Sequence, residues 1–185
     1  KWVFEQALRQ GKKWMLKNPD FVVSVNLSYL QVVEHDFLNF MRETLKRVQI
    51  NVYNVVVELT ESYLVQSSTT VQQIFDEIRK MGVRIAMDDF GTGYSSLGVL
   101  KHTPADIVKI DKTFMKGIKG SSFDATFIRF IVALCHDVGI KVCLEGVETD
   151  DEYQTVEPMA LDYIQGFFFG RPVPATQFEA LFLQK

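Results

Sequence analysis

Short β-branched runs alternate with stretches of helical periodicity along this chain, and no other feature limits its possible folds more. Residues 21–25, 55–57, 83–87, 107–110, 140–144 and 163–164 read as strands. Between them Phe37, Phe40, Met41, Thr44, Leu45 and Val48 recur at helical spacing, as do Val71, Ile74, Phe75, Ile78 and Met81. Phe127, Ile128, Ile131, Leu134 and Val138 predict a long third helix, and Gly82 and Gly139 stop the second and third. A short helix is predicted near residues 96–101, and final turns at Phe178, Leu181 and Phe182. Strands separated by helices pair in parallel, and near-continuous apolar strands agree with a helix-covered sheet. No long Pro/Gly/Ser-rich linker interrupts the pattern, so residues 1–185 read as one domain. The choice lies between an open doubly wound sheet and a (β/α)8 barrel.

Composition narrows the function. With 47% hydrophobic and 23% charged residues the chain is neither a disordered tail nor a low-complexity linker. A net charge of −3 lacks the basic footprint of a duplex nucleic-acid binder. An anionic ligand would need local help from a metal, a lysine or a helix N-terminus. Cys135 and Cys143 form neither a disulfide framework nor zinc-ligand spacing, so a reducing, cytoplasmic setting is expected. No stretch of 18 apolar residues exists and the N-terminus is no signal peptide, so this segment is expected to make no membrane contact.

Polar residues at the strand ends decide between the two architectures. In order they are Asn26, Glu58, Asp88 with Asp89, Lys109 with Asp111, Glu145, and Gln165. Open sheets concentrate a site at one switch point, whereas barrels collect it from many strand ends. The pattern therefore predicts a barrel rim. Acids also cap helices, and that plainer reading applies to any one of them taken singly. Period-2 geometry puts Lys109 and Asp111 on one side of their strand, Ser24, Asn26 and Ser28 together, and Glu58 with Thr60. Such oxygen-rich groups suit Mg²⁺ or Mn²⁺, and adjacent Asp88 and Asp89 could serve two cations about 3.5–4 Å apart, as in phosphoryl hydrolysis. Lys109 would then steady developing negative charge or orient water; its plainer role is to neutralise the acids. The two-glycine loop at residues 89–96 suits a lid or phosphate contact. His35, His102 and His136 are expected to be structural, and Phe167, Phe168 and Phe169 to pack.

At these residues the chain resembles the EAL-domain family, bacterial phosphodiesterases acting on cyclic di-GMP. The matching segments are Ser24-Val25-Asn26-Leu27-Ser28, Glu58-Leu59-Thr60-Glu61-Ser62 and the run from Asp88 through Leu97. Lys109-Ile110-Asp111, Glu145-Gly146-Val147-Glu148-Thr149 and Gln165-Gly166 follow in the family's order. The resemblance implies a modified (β/α)8 TIM-like barrel and hydrolysis of one phosphodiester bond to linear pGpG. It implies Asn26, Glu58 and Asp88 as ligands of a first Mg²⁺ or Mn²⁺, with Asp88 and Asp89 linking to a second. Glu145 becomes a further ligand or the base for the attacking water, Lys109 positions that water, and Asp111 supports it. Gln165 and Asp89 would meet the substrate. Glu61 would brace the loop of Phe90, Gly91, Thr92, Gly93, Tyr94 and Ser95, which couples the site to a dimer interface. A homodimer and an upstream sensor or GGDEF-like domain are the implied partners, in a parent whose membrane tethering the sequence leaves open.

The namesake Glu-x-Leu strand is missing upstream of Trp2, and Glu179-Ala180-Leu181 in the last helix is a decoy. A barrel of this type needs roughly 250 residues, so the chain reads as its C-terminal three-quarters, about six of eight strand-helix units. Little or no turnover is expected from these 185 residues alone. Two alternatives are a cyclic di-GMP receptor or dimerisation module without turnover, and a Mg²⁺ barrel enzyme that abstracts a proton beside a carboxylate.

Overall fold

The computed structural model describes residues 1–60, 69–93, 96–118 and 122–183. In chain order the first elements are α1 (Trp2–Met15), β1 (Val23–Asn26), α2 (Tyr29–Val32), α3 (Phe37–Val48), β2 (Val55–Thr60) and α4 (Thr69–Lys80). Next come β3 (Arg84–Phe90), α5 (Ser96–His102), β4 (Ile107–Ile110), α6 (Ser122–Asp137) and β5 (Lys141–Glu145). The last are α7 (Asp150–Val156), β6 (Tyr163–Gln165) and α8 (Ala175–Phe182). The chain divides into two compact units, one of residues 1–59, 66–85 and 172–185, the other of residues 60–65 and 86–171.

In the first unit the strand order is β1-β2-β3, the unit holding only the start of β3. β1 and β2 are parallel, Val23 facing Val55 and Asn26 facing Glu58. β1 alternates buried Val23 and Val25 with exposed Ser24 and Asn26, as period 2 requires. β2 is buried from Val55 to Leu59, the signature of a strand covered on both faces. Helix α1 sinks Phe4 and Leu8, one turn apart, and α3 sinks Phe37, Met41, Thr44, Leu45 and Val48. Helix α8 returns to α1 through Glu179, whose Oε1 accepts from Trp14 Nε1 at 2.9 Å and Gln10 Nε2 at 3.0 Å. Lys17 Nζ lies 3.6 Å from its other oxygen, and the Trp14 ring packs 4.8 Å from Phe178 and 5.1 Å from Phe21. The Glu179-Ala180-Leu181 triplet is therefore a helix clasp.

In the second unit the order is β3-β4-β5-β6, with every described pair parallel. Helix α6 buries Ile128, Ile131, Val132 and Cys135, and packs on β5. Cys135 and Cys143 are both buried free thiols, and burial, with the Asp162 charge adding, pushes Cys135 up to about 11. Thr149 and Glu152 form a capping box at the start of α7. A Cβ on Gly166 would fall 1.9 Å from the Val147 carbonyl oxygen, so only glycine lets the backbone after Gln165 approach that closely. No described helix is long and apolar enough to cross a membrane.

The predicted strands all form, but several run further than the apolar stretches that announced them. β2 continues past Glu58 to Thr60 and β3 past Asp89 to Phe90. Backbone groups make the ladder, so a polar side chain does not end it. Asn26, Glu145 and Gln165 do close their strands, while Glu58, Asp88, Asp89 and Lys109 sit inside theirs.

His136 has a structural task, as its helical position predicts. Its Nε2 lies 2.8 Å from Asp162 Oδ2, which also accepts the Val142 N–H at 2.8 Å. Burial raises the Asp162 carboxyl, but those bonds outweigh it and hold the group below its ordinary value. A depressed carboxylate stabilises the fold above its unfolded pKa, and that contribution is lost as pH falls through the folded value. Asp162→Asn should therefore lower stability by about 1 kcal/mol at pH 7. The difference from wild type should close as pH falls through the lowered folded value of Asp162, read from thermal melts across pH.

Candidate metal and catalytic site

β4 is buried at all four positions, yet its third is Lys109, whose side chain is only 6% exposed. A buried ammonium needs partners, and neighbouring strands supply them. Nζ lies 2.9 Å from Asp88 Oδ1 on β3 and 2.6 Å from Glu145 Oε1 on β5. Parallel register makes this possible: Met87 faces Val108, so Asp88 and Lys109 each follow one step along, and Lys109 faces Cys143, two residues before Glu145 and, by period 2, on the same face of β5.

Asp88 and Asp89 would point to opposite faces of a regular strand. The pairing of β3 with β4 slips instead: Met87 faces Val108 but Phe90 faces Ile110, so three steps on one strand match two on the other. This is a β-bulge with one extra residue, and Asp89 adopts a left-handed φ of 56°. Carboxylate oxygens of Asp88, Asp89 and Glu145 consequently lie within 4.8 Å of one another. Burial, and then the charges of Asp88 and Asp111, push the Asp89 carboxyl up, although Lys109 and Lys112 pull the other way. Adjacency in sequence pairs Asp88 and Asp89, but periodicity does not reveal the bulge. An aspartate, which tolerates left-handed backbone, just before Phe90-Gly91 was the available signal.

Asp111 is buried beyond β4, and its Oδ1 accepts the Thr113 N–H at 2.9 Å, capping the turn Lys112–Met115. The capping role considered for any single acid holds here. Gln165 ends β6 opposite Glu145, with its carbonyl accepting the Val147 N–H at 3.2 Å. Phe90 is fully buried, and Thr92 bonds back to the Asp89 carbonyl through Oγ1 at 2.8 Å. Gly91 and Gly93 follow the bulge, while Glu61, Tyr94 and Ser95 lie outside the described residues.

The first unit carries its own polar group. The Ser24 hydroxyl donates to the Glu58 carboxylate, and Asn26 lies opposite Glu58 in the register, exposed on the same face of β1 as Ser24. Sequence periodicity grouped Ser24 with Asn26 but did not identify the serine as the glutamate's partner.

The donor set fits a hard divalent cation. All three clustered ligand atoms are carboxylate oxygens, the donor type that hard divalent cations prefer. Replacing Asp89 by Asn keeps the shape and removes the repulsion. In metal-free protein at pH 7, Asp89→Asn should stabilise the fold by on the order of 0.5 kcal/mol, the gain vanishing in acid as wild-type Asp89 protonates. The same variant should lose Mn²⁺-induced thermal stabilisation, both effects being read by calorimetry.

The EAL domain family profile matches residues 1–172. The bifunctional diguanylate cyclase/cyclic di-GMP phosphodiesterase MucR of Pseudomonas aeruginosa is 37% identical over 177 residues, 95% of this chain and 26% of MucR. The chain thus spans about a quarter of the length of the curated relatives it matches. A solved PaMucR phosphodiesterase in complex with cyclic di-GMP superposes with a TM-score of 0.89 at 36% identity, covering 96% of this chain and 72% of that one. A manganese/cyclic di-GMP complex of Klebsiella pneumoniae BlrP1 gives a TM-score of 0.82 at 27% identity, covering 91% and 43%. These similarities place the parallel α/β fold among the TIM-barrel EAL domains. The chain belongs to the EAL domain family.

Proposed function

We propose that the protein carrying this chain is a metal-dependent phosphodiesterase that opens cyclic di-GMP to linear pGpG. The observation that carries this reading is the buried Lys109 ammonium between Asp88 and Glu145, beside a bulge that aims a third carboxylate at the same place. Relatives named as cyclic di-GMP phosphodiesterases support the substrate class. Asp88, Asp89 and Glu145 would hold Mg²⁺ or Mn²⁺, and the family resemblance adds Asn26 and Glu58 as ligands of the first ion. Bound cations would supply charge neutralisation on the phosphoryl oxygens.

The chain's own residues do the rest. Lys109 is fixed by two carboxylates, so its positive charge is preorganised where negative charge develops on the phosphate. Glu145, as a further ligand or as the base, would in the latter role accept a proton from water as the water oxygen attacks phosphorus. The P–O3′ bond then breaks, and the departing 3′ oxygen takes a proton from solvent, which balances the one removed from the attacking water. Asp111 keeps the segment after Lys109 in place through its cap, and Gln165 contacts the nucleotide. With Mg²⁺ or Mn²⁺ and the full-length protein, pGpG should appear on chromatography, and Lys109→Ala and Glu58→Ala should each reduce the rate by roughly 10²–10³-fold. Tight nucleotide binding without product under either metal would make the protein a receptor instead.

A homodimer is also proposed. Helix α6 exposes Phe123 and Phe130, two turns apart on its outward side. Self-association about a two-fold axis would cover such an apolar stripe. Phe130→Glu should shift the protein from dimer to monomer in sedimentation without loss of secondary structure. A cyclase-like or sensory domain elsewhere in a cytoplasmic parent fits the bifunctional relative.

A further inference from the structure

Asp89 keeps its left-handed backbone although it is not glycine, and such a conformation persists only where its surroundings over-determine it. On one side the Phe90 carbonyl accepts the Asp111 N–H at 3.3 Å and the Phe90 ring is fully buried. On the other, Thr92 donates to the Asp89 carbonyl from its hydroxyl at 2.8 Å and from its N–H at 3.3 Å. Gly91, at φ 96°, completes the turn and has no side chain to anchor it. Its backbone lies against an aromatic ring. A Cβ at Gly91 would lie 2.6 Å from Phe114 Cε2, 2.7 Å from Cζ and 3.2 Å from Phe127 Cζ. Phe114 in turn stacks on Phe127 with centroids 4.4 Å apart and planes 7° from parallel. Phe114 sits on the turn that Asp111 caps, so one short segment delivers Lys109, the cap and this floor.

We propose that Phe114 is a positioning residue: backed by Phe127, its ring fills the space under Gly91 and locks the bulge that turns Asp88 and Asp89 toward one cation. The proposal rests on the metal-site reading above for its consequence, but not for its structural claim. Without the ring, Gly91 gains room, the left-handed turn relaxes toward extended backbone, and Asp89 swings to the other face of β3.

The test compares wild type with Phe114→Ala, Phe114→Leu and Leu8→Ala. Leu8 is fully buried in the first unit and reports a loss of packing alone. The metal-free readout is the pair of ¹³Cα and ¹³Cβ shifts of Asp89, which separate left-handed from extended backbone. The second readout is Mn²⁺ affinity by electron paramagnetic resonance. Phe114→Ala should move the Asp89 shifts to extended values and weaken Mn²⁺ binding at least tenfold. Phe114→Leu should weaken it about threefold, and it carries both readouts if the alanine variant does not fold. Leu8→Ala should lower the melting temperature and leave both readouts within twofold of wild type. Unchanged Asp89 shifts in the Phe114 variants overturn the proposal, as does equal loss of Mn²⁺ affinity in Leu8→Ala. If wild type takes up no Mn²⁺, the metal-site reading falls, and the shifts still decide whether Phe114 sets the Asp89 backbone.

Discussion

The Lys109 ammonium, held between Asp88 on β3 and Glu145 on β5, ties three neighbouring strands of the second unit through one charged group. Taking such charges out of water is expensive, and an ion pair in a dry interior is weak evidence for stability in itself. Removing one partner would strand the others and cost several kcal/mol. Under the proposed function the arrangement makes sense as preorganisation: the positive charge is held between its acids before any phosphate would arrive.

Around that triad the backbone departs from regularity in one place. A regular strand would have sent Asp88 and Asp89 to opposite sides, one toward the site and one away. The single-residue bulge in β3 cancels that alternation, at the expense of a left-handed non-glycine residue. Neighbouring features then look like supports for the irregularity: the buried Phe90, the Thr92 bonds to the Asp89 carbonyl, and the ring of Phe114 under Gly91. Strained backbone backed by rigid packing is what a site needs if two carboxylates on adjacent residues are to act together.

Other chemistry-bearing residues carry structural tasks. Asp111, an acid beside the central lysine, spends one oxygen capping a turn. His136 braces the start of β6 through Asp162. Glu179, in a literal Glu-Ala-Leu, clasps α8 to α1 through Trp14 and Gln10. In each case the side chain satisfies backbone or helix-docking needs, which a motif's letters do not encode.

The strand and helix pattern, the parallel pairing and the ordered row of polar residues were legible in the chain, because hydrophobic period and glycine stops are local properties. So was the family, carried by six motifs in order. Strand ends were misplaced at β2 and β3, since backbone ladders run past the last apolar residue. What only the tertiary structure decided is which acids meet. The one-residue slip between β3 and β4 depends on pairing with a strand some twenty residues away, and no local periodicity records it. The contact of Phe114 with Gly91 likewise joins a turn after β4 to a bulge in β3, a meeting that exists only once the sheet has formed. Residue types are written in the sequence, but the register that brings their charges together is a property of the paired strands.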